Sequence, residues 1–224
     1  GPLRDADVVV VVNGDLLTGH DLGAQVSALT AADAGVLACV HVREVDDARA
    51  YGSVVVGDRG RVVAFVEKSP APPSTTVNAG TYVVRPHLLD EIPPAGSVSL
   101  EREVFPALVA DTRLVAHRED AYFLDVGTPA ALVAANRDLL RAPWPGAAPT
   151  PRGESLVIDG ARVSPSARLG GGSVVHPGAA VADGALLDGA LVLPGGRVGS
   201  GARITRSVVG RDAVVPDGRR LRSE

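Results

Sequence analysis

Two aspartates that directly follow runs of strand-forming residues are the first candidates for chemistry in this sequence. Asp15 comes shortly after the valine run at 8–12, and Asp125 lies in the apolar stretch at 121–128. In an open α/β sheet, ligands bind beyond the carboxyl ends of the parallel strands. Two carboxylates there could share Mg²⁺, which prefers one or two carboxylates together with substrate phosphates. The alternative, that each aspartate only caps a turn or a helix, stays open on position alone.

Composition restricts the classes of partner. The 224 residues are 46% hydrophobic, so the chain can bury a sizeable core in one or two domains. A net charge of −4 excludes the broad positive field of a nucleic-acid or anionic-membrane binder. No apolar run approaches the roughly 20 residues that span a bilayer, and the N-terminus GPLRDAD lacks the features of a signal peptide. We therefore expect a cytoplasmic protein that binds neither nucleic acid nor membrane.

Neither cysteine nor histidine predicts a further site. Cys39 lies in an apolar run, which favours a buried and inert thiol. The five histidines show no spacing typical of zinc ligands.

The elements expected to position the aspartates form an α/β domain. The apolar run Val8–Val12 is typical of a central parallel strand that is covered on both faces. A helix ending at Gly35 and a buried strand at 36–42 would complete a strand, helix, strand unit with a right-handed crossover. The other predicted elements are a hairpin over 51–68, strands over 77–84 and 121–128, and helices over 103–110 and 129–140, the last with Thr128 as its N-cap.

The sequence changes character after residue 140. Residues 141–155 are rich in Pro and Gly and predict a linker. Beyond them, aliphatic residues recur every six positions, at Val163, Leu169, Val175, Val181, Leu187 and Leu193. This period is typical of a parallel β-helix, in which each short strand contributes one aliphatic side chain to the interior. We therefore predict an α/β domain over 1–140, a linker over 141–155 and a β-helix of about three coils over 156–224.

Residues 1–140 resemble the sugar-1-phosphate nucleotidyltransferases, also called nucleotide-sugar pyrophosphorylases. The resemblance rests on ordered motifs, namely VVNGD (11–15), YGSV (51–54), VVAFVEK (62–68), VNAGTYVV (77–84), SLEREVFP (99–106) and FLDVGTP (123–129). The last three are most similar to the mannose-1-phosphate guanylyltransferase branch. The resemblance implies a Rossmann-like, mostly parallel sheet, incomplete at its N-terminus, and a left-handed β-helix after it.

The resemblance also implies a reaction. A sugar-1-phosphate would attack the α-phosphorus of a nucleoside triphosphate, giving a nucleotide-sugar and pyrophosphate. Such transfer needs positioning and charge neutralisation rather than covalent help. Asp15 and Asp125 would be the catalytic residues, holding Mg²⁺ as template and Lewis acid.

Four further residues would bind the sugar-1-phosphate. Glu67 would accept hydrogen bonds from vicinal hydroxyls, and Lys68 would pair with the phosphate. Gly52 would let the backbone approach the sugar, and Asn78 would bond its hydroxyls. Without the resemblance, Glu67 and Lys68 are an ordinary solvated strand end, and Gly52 and Asn78 are turn residues. The family's Glu-Lys-Pro motif is interrupted here by Ser69, which puts the loop geometry in question.

One family motif has no counterpart. Nothing before Asp15 matches the glycine-rich triphosphate loop G-x-G-T-R-L, and GSGARI at 199–204 lies inside the six-residue repeat, so we expect it to be a solenoid turn. The nucleotide half of the active site is therefore expected to be missing, from a truncated chain or from a short homologue that has lost catalysis. The lack of methionine favours truncation. In both cases the chain alone should turn over nucleotide-sugar poorly or not at all.

Two rival functions follow from the same features. A non-catalytic regulatory or assembly subunit would use the solenoid to form oligomers, and we expect a homo-oligomer. An acyltransferase would need a catalytic histidine in the coils, where His176 is the sole candidate. The sequence does not determine the base or the sugar.

Overall fold

The structure is a computed structural model that describes residues 2–93, 96–141 and 155–222. The chain divides into two compact units, Gly1–Phe123 and Leu124–Glu224, and each is described by itself. The predicted linker at 141–155 falls almost wholly outside the described residues. The domain boundaries drawn from the sequence therefore stay a prediction.

The first unit is a mixed α/β domain. Its helices are α1 (Leu22–Ala31), α2 (Leu88–Glu91) and α3 (Phe105–Ala110), with a 3₁₀ turn at Asp58–Gly60 and a π-helix at Leu100–Val104. Its strands are β1 (Val9–Val12), β2 (Leu16–Thr18), β3 (Ala38–Glu44), β4 (Gly52–Val56), β5 (Val62–Glu67), β6 (Thr76–Val84), β7 (Leu114–Arg118) and β8 (Phe123–Asp125), the last running across the boundary between the units.

The six-stranded sheet is built around β6, whose nine residues are all buried. The strand order is β5-β4-β6-β3-β7, and β1 also pairs with β6. Only the β3–β7 pair is parallel; β1–β6, β3–β6, β4–β5 and β4–β6 are antiparallel. The α/β class is confirmed, but the expectation of a mostly parallel sheet is wrong. β2 pairs with β8 in a separate two-stranded sheet.

The valine run does not form a central parallel strand. Within the described residues, β1 pairs with β6 alone, and in the antiparallel sense. Val10 is 39% exposed and Val12 is 50% exposed, so one face of β1 is open. An unbroken run of valines fits a buried strand and a half-exposed one equally well, because β propensity reports local fit to a pleated surface and not the number of neighbours.

Local signals account for most other elements. Asp21 caps α1, since its carboxylate accepts from the Ala24 N–H at 3.0 Å. The helix ends at Ala31, four residues before the predicted end at Gly35. The predicted hairpin is confirmed as β4 and β5. It turns through Arg59, a non-glycine residue at φ 54°, and Gly60 at φ 73°.

The second unit combines helix α4 (Pro129–Arg141) with a β-helix. The predicted Thr128 N-cap is confirmed, because its hydroxyl accepts from the Ala131 N–H at 3.1 Å. The β-helix strands are β9 (Ser155–Val157), β10 (Arg162–Val163), β11 (Arg168–Gly170), β12 (Ser173–Val175), β13 (Ala180–Val181), β14 (Leu186–Asp188), β15 (Leu191–Val192), β16 (Arg197–Val198), β17 (Arg203–Thr205), β18 (Val208–Val209), β19 (Val214–Val215) and β20 (Arg220–Arg222).

These strands form three parallel sheets of four strands each. The solenoid therefore has about four turns, not the three expected from the sequence. Val163, Val181, Val198 and Val215 stack in one sheet, so the first coil takes 18 residues and the later ones take 17. The lost residue shifts the repeat: Val192, not the predicted Leu193, stacks on Val175 in the interior.

Residues at positive φ turn the chain at the corners of the solenoid. One corner uses Gly184, Gly201 and Gly218, and Gly201 lies in the GSGARI stretch, which is a solenoid turn as predicted. Glycine is favoured there because it adopts this conformation without a steric penalty. Helix α4 packs on the coils through Val133, which lies in one cluster with Val174 and Leu191.

Membrane insertion through helices is not indicated. None of the helices in the described part of the chain is long and apolar enough to cross a bilayer.

Candidate active site

Three of the predicted sugar-binding residues, Gly52, Glu67 and Asn78, meet where β4, β5 and β6 lie side by side. Gly52 at the start of β4 stands opposite Glu67 at the end of β5. A Cβ atom on residue 52 would lie 2.7 Å from Glu67 Oε2 and 3.4 Å from Asn78 Cβ. The glycine thus leaves space that the Glu67 carboxylate uses. This close approach explains why residue 52 has no side chain.

Asn78 belongs to a buried hydrogen-bond network. Its Nδ2 donates to Tyr82 Oη and to Glu101 Oε1, both at 2.9 Å. Its Oδ1 accepts from the Gly80 N–H at 3.0 Å. Both amide protons of Asn78 are therefore used inside the protein. Only its carbonyl oxygen retains a lone pair for a ligand.

Glu101 is a site residue that the sequence reasoning did not single out. Its Oε1 also accepts from Tyr82 Oη at 2.6 Å, and Tyr82 is 1% exposed. Burial, with the neighbouring Glu101, raises the pKa of Tyr82, so the phenol stays protonated and donates. The signal available in the sequence was position 101 within the SLEREVFP motif. We refer to Gly52, Glu67, Asn78, Tyr82 and Glu101 as the Glu67–Glu101 cluster.

A π-helix carries Glu101 into this cluster. The Ser99 hydroxyl accepts from the Arg102 N–H, and Glu103 Oε1 accepts in return from the Ser99 N–H at 2.9 Å. This is a capping box with one extra residue in the turn, because the carboxylate comes four residues after the serine rather than three. Single π turns within helices occur often at functional sites.

The Glu67 carboxylate is held in an unusual electrostatic environment. Its side chain is only 11% exposed. Burial, and next the charge of Glu101, raise the pKa of Glu67, whereas Lys68 and Arg102 act against this rise. A buried carboxylate beside a second one is a costly arrangement for stability alone, and such groups cluster at functional sites.

Lys68 lies at the edge of the cluster. Its Nζ is 4.0 Å from Glu67 Oε1, and its side chain is 64% exposed. The residue has φ 46°, in the left-handed region that a non-glycine residue rarely adopts. The chain therefore turns sharply at Lys68, directly before the Ser69 that interrupts the family motif.

The β1 end of the VVNGD motif reaches the same region. The Asn13 N–H donates to the Gly80 carbonyl at 2.9 Å. The side chain of Asn13 lies over Gly80 and forms a hydrogen bond with Tyr82. Gly80 has φ 68°, so glycine is required there both for the backbone conformation and for the space. Asn13 is a second residue that the sequence reasoning did not select.

The two predicted metal ligands are exposed carboxylates. Asp15 occupies the turn before β2, in the first unit. Asp125 ends β8, in the second unit, and its Oδ1 accepts from the Gly127 N–H at 2.9 Å. Among the described residues there is no group of three or more His, Cys, Asp or Glu that could hold a metal ion. A site made of two carboxylates together with substrate phosphates is of a different kind, so the Mg²⁺ site at Asp15 and Asp125 stays a prediction.

Three of the five histidines lie together, and the cysteine is buried. His20 stacks on His41 with ring centroids 4.0 Å apart, and His117 lies 6.3 Å from His41. Burial lowers the pKa of His41 to about 4, so its ring is neutral at physiological pH. Burial raises the pKa of Cys39 to about 12, in agreement with the predicted inert thiol.

Comparison with known proteins identifies both parts of the chain. A model of the nucleotidyl transferase family matches residues 2–142, and a model of the GlmU-like C-terminal hexapeptide matches residues 150–222. A mannose-1-phosphate guanylyltransferase of Mycobacterium tuberculosis is 43% identical over 194 residues, which are 84% of this chain and 52% of that protein.

Two eukaryotic relatives carry related names. The mannose-1-phosphate guanylyltransferase catalytic subunit beta of Dictyostelium discoideum is 32% identical over 57% of this chain and 35% of its own length. A probable mannose-1-phosphate guanylyltransferase 3 of Oryza sativa is 31% identical over 67% of this chain and 42% of its own. The chain thus spans about half the length, or less, of these curated relatives. Since the family model covers more than half of the chain, the protein belongs to the nucleotidyl transferase family.

Proposed function

We propose that this protein acts in the transfer of a nucleotidyl group from GTP to mannose-1-phosphate, giving GDP-mannose and pyrophosphate. The observation that carries the proposal is the largely buried Glu67 carboxylate, held above the bare backbone of Gly52 and within the electrostatic reach of a second carboxylate, Glu101. The names of the relatives favour mannose-1-phosphate and GTP over other sugar phosphates and nucleotides.

In this proposal the Glu67–Glu101 cluster binds the sugar. Glu67 accepts hydrogen bonds from two vicinal hydroxyls, since a carboxylate is an acceptor with two oxygens. Glu101 Oε1 is occupied by Tyr82 and Asn78, which leaves Oε2 as the atom for a further hydroxyl. Asn78 contributes its carbonyl and fixes Glu101. Lys68, exposed at the edge, pairs with the phosphate of the sugar.

Asp15 and Asp125 hold Mg²⁺ in the same proposal. Both are exposed oxygen ligands of the kind that Mg²⁺ prefers, and within the described part of the chain one oxygen of Asp125 is used, by the Gly127 N–H. When bound, the metal neutralises phosphate charge and acts as a Lewis acid. The composition supports such a role for a cation, because acidic residues outnumber basic ones in residues 1–123. The net negative charge of this unit alone would disfavour binding a sugar phosphate together with a nucleoside triphosphate.

Titration calorimetry of the chain with mannose-1-phosphate, with and without MgCl₂, tests the proposal. We expect saturable binding, tighter in the presence of Mg²⁺. Adding GTP and measuring pyrophosphate release then separates a catalytic protein from a non-catalytic homologue, which would bind the sugar phosphate without turnover. No binding of mannose-1-phosphate under any of these conditions would contradict the proposal.

Replacing Gly52 with valine should disrupt the sugar site by sterics alone. Any Cβ at this position lies 2.7 Å from Glu67 Oε2 and 3.3 Å from Phe65 Cζ, so the carboxylate must move. We expect the dissociation constant for mannose-1-phosphate to rise about tenfold or more, as for the loss of one hydrogen bond to a charged group. Gly35→Ala is the control, because a Cβ there meets nothing within 4 Å. Equal affinity in the two variants would argue against a sugar site at Gly52.

A further inference from the structure

A cavity of about 440 Å³ lies wholly within the second unit, between α4 and one corner of the solenoid. Arg137 and Arg141 line it from the helix, and Arg206 lines it from the coils. Among the described residues that line it, Asp188 is the one carboxylate. Its volume falls within the range of small-molecule sites, and three guanidinium groups against one carboxylate make it a site for an anion.

The corner beneath this cavity is open because two of its residues are glycines. Gly171, Gly189 and Arg206 occupy the same position in successive coils, and their φ angles are 62°, 59° and 45°. A Cβ at Gly189 would meet the Gly171 carbonyl at 3.2 Å, Arg206 Cγ at 3.6 Å and Val133 Cγ1 at 3.6 Å. A side chain at Gly189 would therefore fill the floor of the cavity.

Arg206 departs from the glycine pattern of this corner. The left-handed conformation is unfavourable for arginine, whereas glycine adopts it freely, as the two preceding coils show. Among the described residues of this corner, the strained one is therefore Arg206, which lines the cavity. Strained backbone of this kind occurs often where a side chain serves a ligand.

The cations of the cavity are available to a ligand. Within the described residues, neither Arg141 nor Arg206 forms an ion pair, and Arg137 is joined only to its neighbour Asp138, through Nε at 3.2 Å. The remaining wall is apolar and consists of Ala130, Val133 and Ala134. The lining thus offers guanidinium donors, one acceptor carboxylate and a small apolar surface.

We propose that this cavity binds a phosphate monoester that also carries hydroxyl groups, such as a phosphorylated sugar. Arg141 and Arg206 take the phosphate through charge-assisted hydrogen bonds. Asp188 accepts from a hydroxyl, since a carboxylate offers acceptors only. The site is separate from the Glu67–Glu101 cluster, which belongs to the first unit. It would let a phosphorylated metabolite bind without occupying the sugar-1-phosphate site.

Calorimetric titration of the full chain with glucose 6-phosphate tests this proposal, and Arg206→Gly is the informative variant. Glycine restores the residue type of the two preceding coils at this corner, so the variant should fold at least as well as the parent, which a thermal melt checks. We expect one saturable site in the parent and an about tenfold higher dissociation constant in Arg206→Gly and in Arg141→Gln.

Two controls locate the binding. Arg168→Gln removes an exposed arginine elsewhere on the solenoid and should leave the dissociation constant unchanged. Glu67→Gln should also leave it unchanged, because that residue belongs to the other site. The proposal fails if the parent does not bind glucose 6-phosphate, if Arg168→Gln weakens binding as much as Arg206→Gly, or if Glu67→Gln abolishes it.

The Asp188→Asn variant separates a sugar phosphate from free phosphate as the ligand. Removing the carboxylate lessens the repulsion of a phosphate but also removes the acceptor for a hydroxyl. We expect inorganic phosphate to bind as well as before or better, and the preference for glucose 6-phosphate over inorganic phosphate to shrink several-fold. An unchanged preference would overturn the role given to Asp188 and leave the cavity as a simple phosphate site.

Discussion

Glu67→Gln should weaken the binding of mannose-1-phosphate about a hundredfold, because a charged acceptor for two hydroxyls becomes a neutral amide with one acceptor oxygen. Calorimetry on both proteins measures the effect. The control is Asp46→Asn, which makes the same change of charge at an exposed position of the same unit and should have no effect. Affinities within a factor of two for parent and Glu67→Gln would exclude Glu67 from the sugar site.

Stability and pH provide independent readouts for the same variant. The raised pKa of Glu67 means that the folded protein favours the protonated carboxyl, so its ionisation opposes folding as the pH rises through that pKa. Glu67→Gln removes this opposition, and its thermal midpoint at neutral pH should equal or exceed that of the parent. Conversely, acidification should weaken sugar binding by the parent, because a protonated carboxyl is a poor hydrogen-bond acceptor. Since the pKa of Glu67 is raised, this loss should occur at a higher pH than for a glutamate of ordinary pKa.

Ile204→Ala should destabilise the solenoid by about 2–5 kcal/mol, the range observed for truncating a fully buried aliphatic side chain. Ile204 is 0% exposed and stacks between Leu187 and Leu221 in the β11-β14-β17-β20 sheet. The truncation would leave an empty space in the middle of the stack. Each coil contacts only its neighbours, so residues of more distant coils cannot move in to fill that space.

Urea denaturation followed by circular dichroism measures this loss. Val214→Ala is the matched control, since Val214 is 67% exposed in the same solenoid and points away from the interior. It should change the free energy of unfolding by less than 0.5 kcal/mol, as expected for a surface position. Comparable losses in the two variants would contradict the inward stacking of Ile204.

Features with strong local chemistry were predictable from the sequence. The six-residue period led to the β-helix, because no other element stacks aliphatic side chains at that spacing, and the Gly and Asp residues at 57–60 led to the β4–β5 hairpin. The family motifs led to Gly52, Glu67 and Asn78, which the structure brings together with the adjacent Lys68 at their edge.

The failures have a common physical origin in tertiary context. Nothing local distinguishes the valine run of β1 as a half-exposed antiparallel strand, because its partner β6 lies some 70 residues further along the chain. The shift from Leu193 to Val192 follows from one residue lost in a coil, and both residues are equally aliphatic. The sequence did not predict Glu101 as a site residue, because it lies in a charged stretch in which a glutamate is normally a solvent-exposed helix residue.

The central strand β6 has a consequence for how the first unit opens. Its first residues lie between β3 and β4, and its last residues lie between β3 and β1. A peptide hydrogen near Val83 exchanges with solvent deuterium only after its hydrogen bond to one neighbouring strand breaks, and in this doubly flanked strand that requires the sheet to open away from its ends. The rate of deuterium uptake near Val83 would therefore be an internal reference, with which the faster uptake expected at the exposed turn of Asp15 can be compared.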